Sequence, residues 1–258
     1  MNIQAFQFPP KHPRTTVQVL CIALAANGTS SYRDASAIAS ITSTKWNAHV
    51  TILTDNKSKL LALPSTTTVS EVRSKKSLLS CIRGFIQTRV LSGTSLFVSI
   101  SSHGYSMSVP ERRALEMNGR SEYVVIAGQR VMDYELFDAL YTDMPLDIPS
   151  LCLVDTCHSG TMLDLEYVST DGRVFHRSQT PLQSRPFSVC ISACSDSETA
   201  GEDISSIGGW GGKLTCQFVD YVNTQTTVHA LTFYKMVLGL FSSQRTQRSH
   251  PIISYNCS

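Results

Sequence analysis

Five apolar runs along the chain predict the strands of a buried sheet. They are rich in Val, Ile and Leu and cover residues 16–26, 49–55, 95–104, the first part of 148–160, and 187–195. Strands covered on both faces show continuous apolar runs of this kind, whereas half-exposed strands alternate apolar and polar residues. Shorter stretches at 123–128 and 251–255 predict further strands.

The segments between these runs carry helix signals. Asp34 is predicted to open a short helix in DASAIASI, and Ser70 to cap a long helix that ends near Leu91. Further helices are predicted from Asp133, over 213–223 and over 228–243. Strands that alternate with helices indicate an α/β protein with a mostly parallel central sheet and helices on both faces.

The length of 258 residues and the hydrophobic content of 42% predict one compact domain. Residues 1–14 contain three prolines, which fix φ and remove amide donors, so this segment is predicted to be an extended leader. The polar stretch 166–186 contains Asp-Gly and Thr-Pro pairs and is predicted to be a linker. This linker divides the domain, 15–258, into a larger part, 15–165, and a smaller part, 187–258.

Composition argues against several classes of protein. Charged residues make up 16% of the chain, below the roughly 25% of typical domains, and the net charge of +2 does not suggest a nucleic-acid or membrane surface. No apolar run approaches the roughly 18 residues of a membrane span, and the N-terminus lacks a signal-peptide pattern. The eight cysteines form no C-x-x-C pair, so neither a zinc site nor a disulfide framework is expected. We therefore expect a cytoplasmic monomer.

Two reactive side chains follow buried strands. SLFVSISSHG ends on His103 and Gly104, and IPSLCLVDTCHSG places Cys157 three residues before Gly160. Sites in open parallel sheets form beyond the carboxyl ends of the strands. A cysteine attacks as the thiolate, which a base such as His103 can maintain. Because glycine lets the backbone approach closely, the amides of Gly104 and Cys157 are predicted to form an oxyanion hole.

Both reactive residues also have a purely structural interpretation. Cys157 can serve as a small buried apolar residue, and His103 as a core histidine with satisfied hydrogen bonds. Their positions at polar strand ends, each followed by a glycine, favour catalysis. His158 is a rival base because it adjoins Cys157, but consecutive side chains usually diverge, so we place it outside the dyad.

Three segments resemble those of a known family. LFVSISSHG, CLVDTCHSGTMLDL and ISACSDSETAGE look like the histidine, cysteine and small-subunit segments of metacaspases, the caspase-related peptidases of plants, fungi, protists and bacteria. They occur in the family's order within about 15–256, and the run Asp-x-Cys-His-Ser-Gly-Thr is highly specific. His103 precedes Cys157 by 54 residues, close to the separation of about 50 in caspases. The resemblance implies a caspase-like three-layer sandwich and a cysteine endopeptidase.

The resemblance also implies cleavage of proteins or peptides after Arg or Lys. A buried cation needs an anionic partner, and by motif position the candidates for a specificity pocket are Asp155, Ser101 and Asp34. Each has an alternative interpretation: Asp155 as a cap of the following turn, Ser101 as an ordinary strand residue, and Asp34 as a helix N-cap.

Two further features follow from the resemblance. Self-cleavage is common in the family, and the basic residues of the predicted linker are Arg173, Arg177 and Arg185. The loop SDSETAGE matches a family loop near the substrate groove. We expect its acidic residues to have at most a subsidiary role in substrate binding. They are Asp196, Glu198 and Glu202.

Family members commonly bind calcium, and the corresponding carboxylates here are Asp133 and Asp164. Calcium takes six to eight oxygen ligands, several of them from carboxylates. Tyr134 stands where the family has a second acid, and 118–122 reads NGRSE in place of a DGxDE-like stretch. We therefore expect no cofactor to be required for the chemistry, and calcium activation to be weakened or lost.

Two other functions are compatible with parts of the sequence. One is a catalytically silent caspase-like scaffold that binds or regulates partner proteins. The loss of acidic residues from the calcium site suggests it, whereas the presence of both Cys157 and His103 argues against it. A legumain-like peptidase would share the fold but cleave after Asn, which the proposed carboxylates disfavour. The function that these observations favour is a cysteine endopeptidase with an Arg- or Lys-selective pocket.

Overall fold

The computed structural model describes residues 2–10, 15–25, 30–109, 119–177, 185–204, 210–243 and 249–256. In chain order the strands are β1 (Gln7–Phe8), β2 (Thr16–Leu24), β3 (His49–Thr54), β4 (Thr68–Glu71), β5 (Thr94–Ser102), β6 (Gly104–Ser108), β7 (Arg120–Ile126), β8 (Gln129–Met132), β9 (Ser150–Asp155), β10 (Tyr167–Ser169), β11 (His176–Arg177), β12 (Ser188–Ser192), β13 (Glu202–Ile204), β14 (Trp210–Gly212), β15 (Val228–His229) and β16 (Ile252–Asn256). The α-helices are α1 (Ser30–Trp46), α2 (Lys75–Arg89), α3 (Asp133–Tyr141), α4 (Lys213–Thr224) and α5 (Ala230–Ser243).

A sheet of nine strands forms the centre of the molecule, in the order β11-β10-β16-β12-β9-β5-β2-β3-β4. The six strands from β12 to β4 are parallel to their neighbours, and β16, β10 and β11 extend the sheet in antiparallel fashion. A separate three-stranded sheet, β6-β7-β8, begins directly after His103.

Helices cover both faces of the central sheet. Buried side chains of α1, α4 and α5 belong to the hydrophobic core on one face, and those of α2 and α3 belong to the core on the other. Strand β2 shows why its sequence is continuously apolar: Val19 and Cys21 face the first core, while Leu20 and Ile22 face the second. The predicted α/β three-layer sandwich with a mostly parallel sheet is confirmed. Among the described helices, none combines the length and apolarity needed to cross a membrane.

Two predicted helix starts were wrong. Ser70 lies in β4, and α2 is capped instead by Ser74, whose hydroxyl accepts a hydrogen bond from the amide of Ser77 at 3.1 Å. Asp34 does not open a short helix either, because α1 runs over 17 residues from Ser30 to Trp46 and contains Asp34 in its second turn. Asp34 is therefore available for a contact at the end of the sheet rather than for capping.

The segment predicted as an extended leader is anchored to the core over its described part, residues 2–10. Ile3 and Phe6 are buried, and β1 pairs with β15 through Phe8 and Val228. The Phe8 ring lies 5.3 Å from Trp46 and 6.1 Å from Phe97, within an aromatic cluster under the sheet. The prolines do not prevent this packing, because the apolar residues that are buried lie before Pro9.

The predicted linker, 166–186, also contributes to the sheet. Its strands β10 and β11 form the edge beyond β16. A turn between them is closed by Asp171, whose carboxylate accepts the amides of Arg173 at 2.8 Å and Val174 at 3.0 Å. Residues 178–184 lie outside the described part of the chain.

Candidate active site

His103 and Cys157 follow two adjacent strands of the sheet. Strand β5 ends at Ser102, and its parallel neighbour β9 ends at Asp155. Because parallel neighbours end at the same edge, the residues that follow them lie together, and both side chains line one cavity of about 160 Å³. His103 is exposed, whereas Cys157 is partly buried. This arrangement places an imidazole and a thiol at the mouth of the same cavity.

The backbone around Gly104 is tightly packed against the cysteine turn. A Cβ atom at Gly104 would overlap the carbonyl oxygen of Cys157 and lie 2.8 Å from the hydroxyl of Thr156. Only glycine can occupy this position without moving the turn. The predicted oxyanion-hole residues, Gly104 and Cys157, are thus brought together, and their role stays a prediction.

Asp34 and Ser101 meet at the inner end of the cavity. The Ser101 hydroxyl donates to the Asp34 carboxylate at 2.6 Å, and the amide of Gly212 donates to the same carboxylate at 3.0 Å. Asp34 comes from α1, and Ser101 from the end of β5. The side chains of Asp34 and Ser101 are buried.

Asp155 lies beside them. It is the register partner of Ser101 in the adjacent strand and is also buried. Its carboxylate accepts the amide of Thr215 at 2.7 Å, at the N-terminus of α4, where the N-cap residue Gly212 has no side chain to serve this purpose. Free amides and the helix dipole favour an anion at this end of a helix. Asp155 therefore both caps α4 and faces the cavity.

The two buried carboxyl groups resist ionisation. Burial, followed by repulsion from Asp155, raises the pKa of Asp34 to about 8, although hydrogen bonds from Ser101 and Gly212 oppose the shift. Burial also raises the pKa of Asp155 to about 6, against hydrogen bonds from the first turn of α4. The pair therefore titrates around neutral pH, and a cation entering the cavity would favour loss of their protons.

Sequence reasoning missed the two glycines that make room for these carboxylates. A Cβ atom at Gly211 would lie 2.7 Å from an oxygen of Asp34, and one at Gly212 would overlap the carboxylate of Asp155. The glycine-rich stretch at 208–212 was the available signal, but the sequence does not show what approaches it. Glu202, which was given only a subsidiary role, also lines the cavity.

The loop 194–198 holds the turn that carries Cys157. The His158 amide donates to the carbonyl of Glu198 at 3.0 Å, and His158 Nδ1 lies 2.6 Å from the carbonyl oxygen of Asp196. The Asp196 carboxylate accepts the Thr161 amide at 2.9 Å. His158 is thus engaged with this loop, and its placement outside the dyad stays a prediction.

Glu198 fixes this loop in turn. Its carboxylate accepts the Ser195 hydroxyl at 2.8 Å and the backbone amide of His250 at 2.9 Å, and it lies 2.5 Å from His250 Nδ1. These hydrogen bonds, above all those from His250, hold the pKa of Glu198 below its usual value, against the opposing effect of burial. The loop is therefore tied to the segment that precedes β16.

The two predicted calcium ligands make different contacts. Asp133 is fully buried, and its two carboxylate oxygens accept the amides of Glu122 at 2.6 Å and Tyr134 at 2.7 Å. Asp164 follows the cysteine turn, with its amide donating to the carbonyl of Thr161 at 2.8 Å. Within the described residues, no three His, Cys, Asp or Glu side chains come together as a metal site. Calcium needs several carboxylates that converge on one point, so the loss of calcium activation stays a prediction.

The three self-cleavage candidates lie in different environments. Arg173 is exposed beside the Asp171 turn, and Arg177 forms an ion pair with Glu166 at 3.2 Å. The guanidinium of Arg185 lies over the ring of Phe137, 4.9 Å from its centre. Arg173 and Arg177 are therefore exposed, whereas Arg185 is partly buried.

Comparison with curated proteins finds metacaspases. The chain is 24% identical to Metacaspase-2 of Arabidopsis thaliana over 165 residues, which cover 58% of this chain and 38% of that protein. It is 27% identical to Metacaspase-5 of Trypanosoma cruzi over 137 residues, which cover 48% of this chain and 30% of that protein. It is 35% identical to Metacaspase III c of Phaeodactylum tricornutum over 78 residues, which cover 29% of this chain and 23% of that protein. The chain spans less than two fifths of the length of these relatives. No protein-family model matches it.

Among solved structures, protein GSU0716 from Geobacter sulfurreducens has a similar fold. The match has a TM-score of 0.57 and covers 94% of both chains, at 14% sequence identity. At this identity the similarity concerns the fold alone. It agrees with the mostly parallel sheet and two helical layers described above.

Proposed function

We propose that this chain, which is similar to metacaspases, is a caspase-like cysteine endopeptidase that cleaves after Arg or Lys through Cys157 and His103. One observation carries the proposal. The cavity that holds the thiol and the imidazole also holds the buried carboxylates of Asp34 and Asp155. A nucleophile and a cation-selective pocket are therefore adjacent.

The proposed reaction begins with the substrate side chain. The guanidinium or ammonium group enters the cavity and pairs with Asp155 and Asp34, while Ser101 orients Asp34 through its hydrogen bond. Buried carboxylates whose pKa is raised are paired most favourably with a cation, which compensates for the lost hydration. The scissile carbonyl is thereby positioned at Cys157.

The chemical steps follow from the two reactive side chains. The thiolate of Cys157 attacks the carbonyl carbon, and the amides of Gly104 and Cys157 stabilise the negative charge on oxygen. His103 gives a proton to the leaving amine, and a water molecule, deprotonated by His103, then hydrolyses the acyl-enzyme. No step uses a metal, and we propose that calcium is not required.

We also propose that the enzyme acts as a monomer in the cytoplasm and cuts its own chain in the linker. The cysteines at described positions are free thiols, as suits a reducing compartment. The exposure of Arg173 beside the Asp171 turn supports the linker as a substrate.

Covalent labelling tests the proposal. An Arg chloromethylketone should modify Cys157 stoichiometrically and abolish hydrolysis of an Arg-terminated fluorogenic peptide, and Cys157→Ala should prevent both. Cys81→Ala is the matched control, because Cys81 lies in α2 outside the cavity and should leave both unchanged. A folded protein that neither hydrolyses the peptide nor reacts at Cys157 would instead indicate a silent scaffold.

A further inference from the structure

Glu202 occupies a special position in the short β13–β14 ribbon. It is the cross-strand partner of Gly212, which places their Cα atoms about 5 Å apart. Gly212 in turn touches both buried carboxylates: its amide donates to Asp34 at 3.0 Å, and its Cα faces Asp155. Acidic residues from three separate elements therefore meet at one glycine: two through their carboxylates and Glu202 through its backbone pairing.

The three carboxylates differ in their exposure to solvent. Asp34 and Asp155 are buried at the inner end of the cavity, whereas Glu202 is exposed and lines the same cavity. The charge of Glu202 contributes to the raised pKa of both aspartates, after the larger effect of burial. Glu202 thus acts electrostatically on the cavity from its solvent side.

A second feature of the cavity points to a polar ligand. Thr156 lines it and is 1% exposed, and its buried hydroxyl has no hydrogen-bond partner in the described part of the protein. A buried hydroxyl without a partner costs free energy, which a ligand with an N–H group can recover. The cavity therefore offers acceptors at its inner end and along its wall.

We propose that Glu202 is the residue that makes this pocket prefer arginine to lysine. The inference rests on the proposed function and adds a third wall to its specificity pocket. In this arrangement Asp34 and Asp155 bind the terminal N–H groups of the substrate cation at the inner end of the cavity. Glu202 binds a lateral edge of the same cation.

The two cations differ in the number of directions in which they donate. A guanidinium is planar and presents five N–H groups along several edges, so it can pair with an inner carboxylate and a lateral one at the same time. An ammonium group is a compact charge with three donors at one point, and the inner carboxylates alone can satisfy it. Removing the charge of Glu202 should therefore penalise arginine much more than lysine.

The test compares Glu202→Gln with the wild type on two peptides that differ only in Arg or Lys before the scissile bond. The kcat/KM for the Arg peptide should fall about tenfold, the worth of one charge-assisted hydrogen bond, while that for the Lys peptide changes less than about twofold. Glu202→Asp should lie between the two. Glu71→Gln is the matched control, because Glu71 lies in β4, an edge strand of the central sheet, and does not line the cavity.

A binding measurement separates this inference from the proposed catalysis. In the Cys157→Ala background, calorimetry should show that Glu202→Gln weakens acetyl-arginine amide about tenfold and leaves acetyl-lysine amide nearly unchanged. An equal loss for both ligands, or no loss for either, overturns the role of Glu202. If arginine binding is selectively lost in a protein that hydrolyses neither peptide, the role of Glu202 in the pocket is supported and the proposed peptidase activity is rejected.

Discussion

Gly212 packs against the carboxylate of Asp155 so closely that a Cβ atom at position 212 would overlap it. Position 212 is also the N-cap of α4, and the first turn of that helix donates amides to Asp155. The acid that is proposed to bind substrate is therefore held by the same backbone that a side chain at 212 would displace.

Gly212→Ala should damage the pocket more than the fold. We expect the free energy of unfolding to fall by about 1–3 kcal/mol, as for other overpacked sites, and kcat/KM for an Arg peptide to fall at least about tenfold. Thermal unfolding and peptide hydrolysis measure the two effects. Gly239→Ala is the control, because Gly239 lies in α5 with no atom within 4 Å of an added Cβ. Unchanged activity in Gly212→Ala would contradict the pocket assignment.

Binding of a cationic ligand should strengthen as pH rises from about 6 to about 8. The raised pKa of Asp155 and Asp34 means that the pocket still carries protons in this range, and the ligand must displace them. Calorimetry of acetyl-arginine amide with Cys157→Ala, in buffers of different ionisation enthalpy, should show proton release. Binding that is independent of pH between 6 and 8 would contradict the titration of this pair.

The same pair predicts how stability depends on pH. Since both acids have a higher pKa in the folded protein, their contribution to stability is complete below the unfolded-state pKa of about 4 and is lost as pH rises through the folded-state values. Asp34→Asn should therefore be less destabilising at pH 9 than at pH 5. Urea unfolding at the two values measures this difference, and the opposite order would show that Asp34 is ionised without penalty.

Asp196 should act as a positioning residue for Cys157. Asp196→Ala removes the acceptor of the Thr161 amide, and a shifted cysteine turn should lower kcat by about 10- to 100-fold. Asp196→Asn, which retains an acceptor oxygen, should recover part of the loss. The pH profile of kcat should keep its midpoints, because Asp196 is not proposed to transfer protons. Asp143→Ala, a surface change beside Gln87, serves as the control.

Hydrolysis should be the same in chelator and in millimolar calcium. The oxygens of Asp133 are occupied by the amides of Glu122 and Tyr134, so its carboxylate supports the backbone rather than an ion. Asp133→Ala should accordingly lower the free energy of unfolding by about 1–3 kcal/mol in calcium-free buffer, the cost of unsatisfied buried amides. An absolute calcium requirement would contradict this prediction.

Strand positions could be read from the sequence because they depend on neighbouring residues. A strand covered on both faces needs an unbroken apolar run, as in β2, β5 and β9. Such a run therefore predicts a buried strand from its local sequence. Helix starts were less certain, since Ser70 and Ser74 carry the same capping chemistry and only the pairing of β4 with β3 distinguishes them.

The candidate dyad was also accessible to sequence reasoning. His103 and Cys157 each follow a buried strand, and parallel strands bring such ends to one edge of the sheet. Ser101 and Asp155 precede them by two residues each, and the resemblance to metacaspases identified both as pocket candidates by their motif positions.

Local apolar patterns and the geometry of parallel strands were enough to predict the layered α/β fold, the strand ends and the position of His103 and Cys157 at one cavity. Contacts between distant segments bring the Asp34 side chain of helix α1 to Ser101 and Gly212, let Gly212 approach Asp155, and place Glu202 across from Gly212. These contacts join residues up to 178 positions apart. Their energies depend on burial and on backbone approach, which a linear pattern does not specify.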